Sequence, residues 1–264
     1  MIIFPALDLM DGCVVRLTQG KAEARTVYSN TPENVAHEWY AQGAEWLHLV
    51  DLDGAFKGKP RNLEAVKKIC AAVPIPCQLG GGLREKKDLK AAFDAGVARV
   101  IIGSKACESL DFIAKMVKSF GAERIAVGID ARDGKAATKG WVEQSEWDAR
   151  ELAQAVVKAG IKTIIYTDIA TDGMLKGPNI SAMEEMMQEV PGANIIASGG
   201  VSCVEDVHHL QELKRLHGII IGKALYDQKV ALAECLKKET SLPSMSMIKE
   251  KKPGSASGGS DLLI

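Results

Sequence analysis

Short apolar runs alternate with longer amphipathic stretches along almost the whole chain. The runs are 2-IIFPAL-7, 46-WLHLV-50, 75-IPCQL-79, 99-RVIIG-103, 125-IAVGI-129, 162-KTIIYT-167, 194-NIIAS-198 and 218-GIIIG-222. Each is β-rich and apolar on both faces, as a parallel strand covered on either side must be. Between them, apolar residues recur at three- and four-residue spacing, as in 84-REKKDLKAAFDAG-96 and 147-WDARELAQAVVKAG-160. Both stretches end in a glycine suited to closing a helix. Thr31-Pro32-Glu33 supplies an N-cap, a proline for the first helical position and an acidic first turn, opening a helix to about Gly43. Eight strands alternating with eight helices predict an α/β fold, an eight-stranded parallel (β/α)8 TIM barrel forming one catalytic domain over residues 1–237. A doubly wound open sheet is the alternative, but its usual dinucleotide fingerprint is missing.

The strand ends repeat in order. Asp8 and Asp130 follow the first and fifth strands, 122 residues apart, and Asp51 and Asp168 follow the second and sixth, 117 apart. Gly81-Gly82 and Gly199-Gly200 follow the third and seventh at a shift of 118, and Gly103 and Gly222 end the fourth and eighth at 119. The barrel therefore reads as two duplicated half-barrels. Strand C-termini form the active face of such a barrel, so the repeat places ligand contacts there twice over.

Composition narrows the class. The 264 residues are 47% hydrophobic and 25% charged, which supports one large core and excludes disorder as the main state. With 33 basic against 34 acidic residues and no long apolar run, neither nucleic acid nor membrane is expected as a partner. The opening MIIFPALDLMDG is too acidic, and too short in its apolar stretch, for a signal peptide. Six cysteines without a CxxC read as buried free thiols in a cytoplasmic protein. From about Lys237 the chain turns to Ser, Gly, Pro and Lys, and residues 238–264 are expected to form a flexible tail.

Glycines at strand ends let backbone N–H groups approach an anion closely, with the positive end of a helix dipole behind them. Gly81 and Gly82 pair with Gly103 and Ser104 as one candidate phosphate site; Gly199 and Gly200 pair with Gly222 and Lys223 as the other, with Gly177 an additional binding glycine. The implied ligand is elongated, with a phosphate at each end. Asp8 and Asp130 end strands that stand opposite each other, so one can accept and the other donate a proton on different faces of one reacting carbon. Thr167, Asp168 and Asp172 in TDIATDG offer hydroxyl and carboxylate assistance. Trp141 falls in a long loop after the fifth strand, where an exposed ring stacks on a planar base or simply packs the loop. His37, His208, His209 and His217 fall on or near helices, and His48 lies within a strand and reads as core. No His/Cys/Asp spacing resembles a zinc or iron site, and 54-GAFKGKP-60 lacks the length and the Ser/Thr of a P-loop. Neither a metal nor a nucleotide cofactor is expected.

Taken together, FPALDLMDG, LVDLDGA, GGGLR, GIDARDGKAATKGW, YTDIATDG, ASGGV and IIGKAL resemble the phosphoribosylformimino-5-aminoimidazole carboxamide ribotide isomerases, across residues 1–237 and all eight strand ends. The resemblance implies a cofactor-free Amadori rearrangement of an aminoaldose to an aminoketose, the fourth step of histidine biosynthesis, on a small bisphosphorylated ribonucleotide. Position by position it makes Asp8 the proton acceptor, Asp130 the proton donor and Thr167 an assisting hydroxyl, with Arg84 and Trp141 as substrate contacts on mobile loops. Asp172 remains a rival for the acid role. Lys223 departs from the family, where arginine is common; it keeps the charge but loses the bidentate fork. The sister barrel, the cyclase subunit of imidazole glycerol phosphate synthase, usually carries CLDV and GYD where this chain has ALDL and GPN. A dual-substrate isomerase that also serves tryptophan synthesis differs mainly in loop residues and stays open. A non-catalytic phosphosugar-binding scaffold is opposed by the presence of both aspartates. The chain is expected to act as a monomer.

Overall fold

The eight expected strands form, and they close on themselves. A computed structural model describes residues 1–18, 21–138 and 140–237; the tail assigned to 238–264 and Lys139 of the KGW segment lie outside the described residues. Its strands are β1 (Ile2–Met10), β2 (Cys13–Thr18), β3 (Lys21–Ser29), β4 (Leu47–Asp51), β5 (Cys77–Gly80), β6 (Arg99–Ile102), β7 (Ile125–Arg132), β8 (Lys135–Thr138), β9 (Glu143–Asp148), β10 (Thr163–Asp168), β11 (Asn194–Ser198) and β12 (Gly218–Ile221). In the order β1, β4, β5, β6, β7, β10, β11 and β12, neighbours pair in parallel, and β12 returns to β1. This closed sheet is a (β/α)8 barrel, and it rules out the open doubly wound alternative.

The remaining four strands form two antiparallel hairpins on the C-terminal face, β2–β3 after β1 and β8–β9 after β7. The segment after the fifth barrel strand is thus a hairpin where the sequence predicts a long loop. Its strands, KAAT and EQSEWD, are short and mostly exposed or half-buried, so no apolar alternation announces them. The two helices read from periodicity span Lys86–Asp94 and Ala149–Lys158, with Gly96 and Gly160 at positive φ just beyond. Thr31 stands at the N-cap of Pro32–Ala41, but its side chain makes no capping bond. Extra short helices at Leu52–Lys57, Ser104–Glu108 and Lys223–Tyr226 follow the second, fourth and eighth barrel strands.

Apolar packing has two shells. Outward-facing strand residues such as Leu7, Leu49, Leu79 and Ile195 bury against the helices, while Phe4, Ala6, Ile101, Ala126, Ile165, Ile196 and Ile220 fill the barrel interior. The repeat is also visible in the hydrogen bonds. Asp51 accepts from the backbone N–H groups of Gly54, Arg61 and Asn62 and from the Asn62 side chain at 2.6–2.9 Å. Its counterpart Asp168 accepts from Ala170 N at 2.9 Å and from Asn179 Nδ2 at 2.6 Å. These carboxylates therefore tie each strand end to the following helix. Asp168, expected to assist catalysis, accepts one hydrogen bond on each oxygen from its own loop and is absent from the lining of the cavity described below.

Candidate active site

One cavity of about 290 Å³ opens on the C-terminal face, and both half-barrels line it. It brings together Asp8, Asp130, Thr167 and Asp172 with Arg84, Ser104, Trp141 and Lys223 and with the glycines at 81, 82, 103, 199, 200 and 222. Gly177 is absent from that lining. Its N–H instead donates to Gly200 O at 3.0 Å, so it holds the seventh strand's loop from behind.

The tandem glycines have a reason beyond anion approach. A Cβ on Gly81, at φ 101°, would meet Asp51 O at 2.1 Å, and one on Gly200, at φ 91°, would meet Gly177 O at 2.4 Å. Left-handed backbone and carbonyl contact together leave only glycine in these turns. Gly103 and Gly222 have closely matching backbone angles, φ −93°/ψ −110° and φ −110°/ψ −96°. Their surroundings differ: no atom lies within 4 Å of a Cβ built at Gly103, whereas at Gly222 the Arg16 guanidinium would be 2.1 Å away.

Arg16 is the main residue that sequence reasoning missed. It sits on β2, whose register sets Asp8 opposite Val15, and its Nη1 lies 2.6 Å from Asp8 Oδ2. The only sequence signal was a lone cation one strand-length after Asp8. Tyr28, on β3, donates to Asp227 Oδ1 at 3.0 Å and packs its ring on Tyr226 at 4.8 Å, docking this hairpin against the end of the barrel. Asp227 also takes the ammonium of Lys223, and Tyr226 Oη donates to Ala6 O at 2.9 Å. The phosphate-site lysine expected from the sequence is thus already held by a carboxylate.

Across the mouth, Trp141 Nε1 donates to Asp130 Oδ2 at 2.9 Å, and the ring is half-buried, neither fully exposed nor packed away in its loop. Trp141 takes φ 71°, an unusual conformation for a bulky residue that turns the loop inward. The hairpin tip also reaches the first half-barrel, where Phe56 lies 3.5 Å from a Cβ built at Gly140.

Three carboxylates therefore share one low-dielectric mouth. Burial pushes Asp8 above the usual carboxylate value, although the Arg16 charge and hydrogen bond pull it back. Burial also raises Asp130, against hydrogen bonds from Trp141 and Thr167. Asp172 is raised to about 6, first by burial and further by the negative charges of Asp8 and Asp130, with Arg16 opposing. Arg16 loses solvation but gains more from Asp8 and Asp172, and stays charged. Such a site can hold a carboxylate and a carboxylic acid together near neutral pH, the requirement for moving protons both to and from one substrate. Among the described residues no group of three or more His, Cys, Asp or Glu side chains is placed to hold a metal, and no helix is long and apolar enough to cross a membrane.

Comparison with known proteins agrees with this geometry. Residues 2–231 match the family described as "Histidine biosynthesis protein". A relative from Syntrophomonas wolfei, named 1-(5-phosphoribosyl)-5-((5-phosphoribosylamino)methylideneamino) imidazole-4-carboxamide isomerase, is 49% identical over 243 residues, covering 91% of this chain and 99% of the relative. Proteins of the same name from Opitutus terrae and Synechocystis are each 48% identical, over 240 and 239 residues, covering 89% and 90% of this chain and 98% and 93% of their own lengths. With its closed barrel, its paired strand-end aspartates and a match spanning nearly all the described residues, the chain belongs to the histidine biosynthesis protein family.

Proposed function

We propose that this protein is an aldose–ketose isomerase of histidine biosynthesis, converting the phosphoribosylformimino aminoaldose to its phosphoribulosyl isomer by an Amadori rearrangement. The observation that carries the reading is the placement of Asp8 and Asp130 at the ends of β1 and β7, in one cavity lined by glycine turns from both half-barrels. Asp130 protonates the ribose ring oxygen, and the ring opens to a Schiff base. Asp8, kept ionised by Arg16, then removes the C2 proton, and the resulting enolamine tautomerises to the ketose. Thr167 hydrogen-bonds Asp130, and Asp172 keeps a third carboxyl close to neutrality in the same mouth. Gly81, Gly82, Gly103 and Ser104 receive one phosphate; Gly199, Gly200, Gly222 and Lys223 receive the other. Arg84 and Trp141 contact the substrate between them, and Gly177 supports Gly200 from outside the cavity. One chain supplies the whole cavity, so the active unit in this reading is the monomer.

The test is turnover by the pure protein of the histidine-pathway aminoaldose, and separately of its tryptophan-pathway counterpart, with no cofactor added. Conversion of the first with Asp8→Asn and Asp130→Asn each lowered about 10²–10⁴-fold is expected. A wild-type protein inert toward both substrates would overturn the reading.

A further inference from the structure

Inside the barrel the two halves differ. His48, Gln78 and Arg99 project into the interior of the first half, where the repeat puts Ile165, Ile196 and Gly218 in the second. Arg99 is 6% exposed, and its guanidinium lies 4.6 Å from the Trp46 ring centroid and 5.8 Å from that of Phe4. Its Nε and Nη2 both donate to Gln78 Oε1, at 3.0 and 2.7 Å. Burial lowers Arg99 to about 10, which leaves it charged at neutral pH.

These contacts fix a proton two residues away. Arginine has donors only, so the Gln78 amide must turn its oxygen to Arg99 and its NH₂ to the other side. That NH₂ stands 2.9 Å from His48 Nδ1. Two donors cannot face each other, so Nδ1 accepts and carries no hydrogen. Protonating both ring nitrogens is disfavoured by burial and by the cations Arg16 and Arg99, which hold His48 down to about 3. The imidazole is therefore neutral with its proton on Nε2. His48 also lines the catalytic cavity, one pleat below Asp8 in the register that pairs it with Ala6. With Nδ1 occupied, the polar group it offers that cavity is Nε2–H.

We infer that His48 is a substrate contact, a neutral hydrogen-bond donor at the cavity floor whose Nε2–H meets a hydroxyl oxygen of the reacting ribose, and that Gln78 and Arg99 are the positioning residues that set its tautomer. The inference deepens the isomerase reading and rests on it for the identity of the sugar. Chemically, a donor suits both ends of an aldose–ketose conversion. The oxygen on C2 begins as a hydroxyl and ends as a carbonyl, losing its hydrogen but keeping lone pairs that accept. A neutral donor also leaves the charge of the neighbouring Asp8 carboxylate in place, whereas an imidazolium would compete with Arg16 for it.

Two-bond proton–nitrogen correlation spectra of the ¹⁵N-labelled wild-type protein read the tautomer directly. The expected spectrum has His48 protonated on Nε2 alone. Gln78→Glu puts acceptors between Arg99 and His48 and should move the proton to Nδ1, lowering kcat/KM about tenfold or more. His48→Leu should lose at least as much, while His48→Gln, which can offer an N–H at a similar reach, should recover most of it. A wild-type spectrum showing Nδ1–H or imidazolium overturns the tautomer relay. A folded His48→Leu variant with wild-type kcat/KM overturns the substrate contact. Failure of the isomerase reading looks different: the wild-type protein turns over neither aminoaldose, whatever the spectrum shows.

Discussion

Arg16 Nη1 lies 2.6 Å from Asp8 Oδ2, so a hairpin strand supplies the countercharge for a carboxylate on the barrel itself. Arg16 lowers Asp8 against the upward push of burial. Removing the cation in Arg16→Met therefore lets the Asp8 carboxyl rise further, and this proposed base is protonated over a wider acid range. The acid limb of the kcat/KM profile should move to higher pH, with a larger loss of activity at pH 6 than at pH 9. An acid limb that stays in place would separate Arg16 from the titration of the base.

Trp141 acts on the opposite carboxylate with the opposite consequence. Its indole N–H holds Asp130 down, so Trp141→Phe frees that carboxyl to rise. If Asp130 is the acid, it stays protonated to higher pH, and the basic limb of kcat/KM moves upward while the acid limb holds. KM should rise in the same variant through loss of the ring's polar edge. A basic limb unmoved by Trp141→Phe, together with Asp172→Asn as damaging to kcat as Asp130→Asn, would transfer the acid role to Asp172.

Asp172 carries a stability signature of its own. Its folded pKa, about 6 against a reference of 3.8, is raised, so the native state holds the proton more tightly than the unfolded chain. Stability from this group is complete below about pH 4 and is lost as pH rises through about 6, to a ceiling of about 3 kcal/mol. Asp172→Asn removes the buried charge and should raise Tm by a few degrees at pH 8, with the gain fading by pH 4. Calorimetry across that range checks it; equal Tm for the two proteins at pH 8 would contradict the buried ionisation.

The barrel was legible because its strands are covered on both faces and so appear as unbroken apolar runs, and because duplication printed each strand-end residue twice. Asp8, Asp130 and the glycine pairs carried that second signal. Arg16 carried none: its place depends on the β2–β3 hairpin docking through Tyr28 to Asp227, a contact spanning 199 residues. Asp168 shows the reverse failure. Its repeat partner Asp51 was in view, but only the bonds to Asn62 and Asn179 reveal that both carboxylates serve their own loops. For Trp141 the sequence located the residue but not its direction, which a positive φ sets.

Gly103 and Gly222 offer a test in which the sequence repeat and the structure disagree. By sequence they are equivalent, each ending the last strand of a half-barrel, and equal substitutions should have equal effects. Their matched backbone angles make the conformational cost of adding a Cβ similar at both. The space around them is unequal, because a Cβ at Gly103 meets nothing within 4 Å while one at Gly222 runs into the Arg16 guanidinium. Gly103→Ala should therefore raise KM, by crowding the proposed phosphate, and leave kcat and the acid limb of the pH profile near wild type. Gly222→Ala must push Arg16 aside, so it should reproduce part of the Arg16→Met phenotype: lower kcat and an acid limb moved to higher pH. Steady-state kinetics of the two alanine variants across pH 5–9 distinguish the cases. Identical profiles would mean that Arg16 yields freely to the new methyl group, and that the contact with Gly222 does not help to hold the Asp8 countercharge in place.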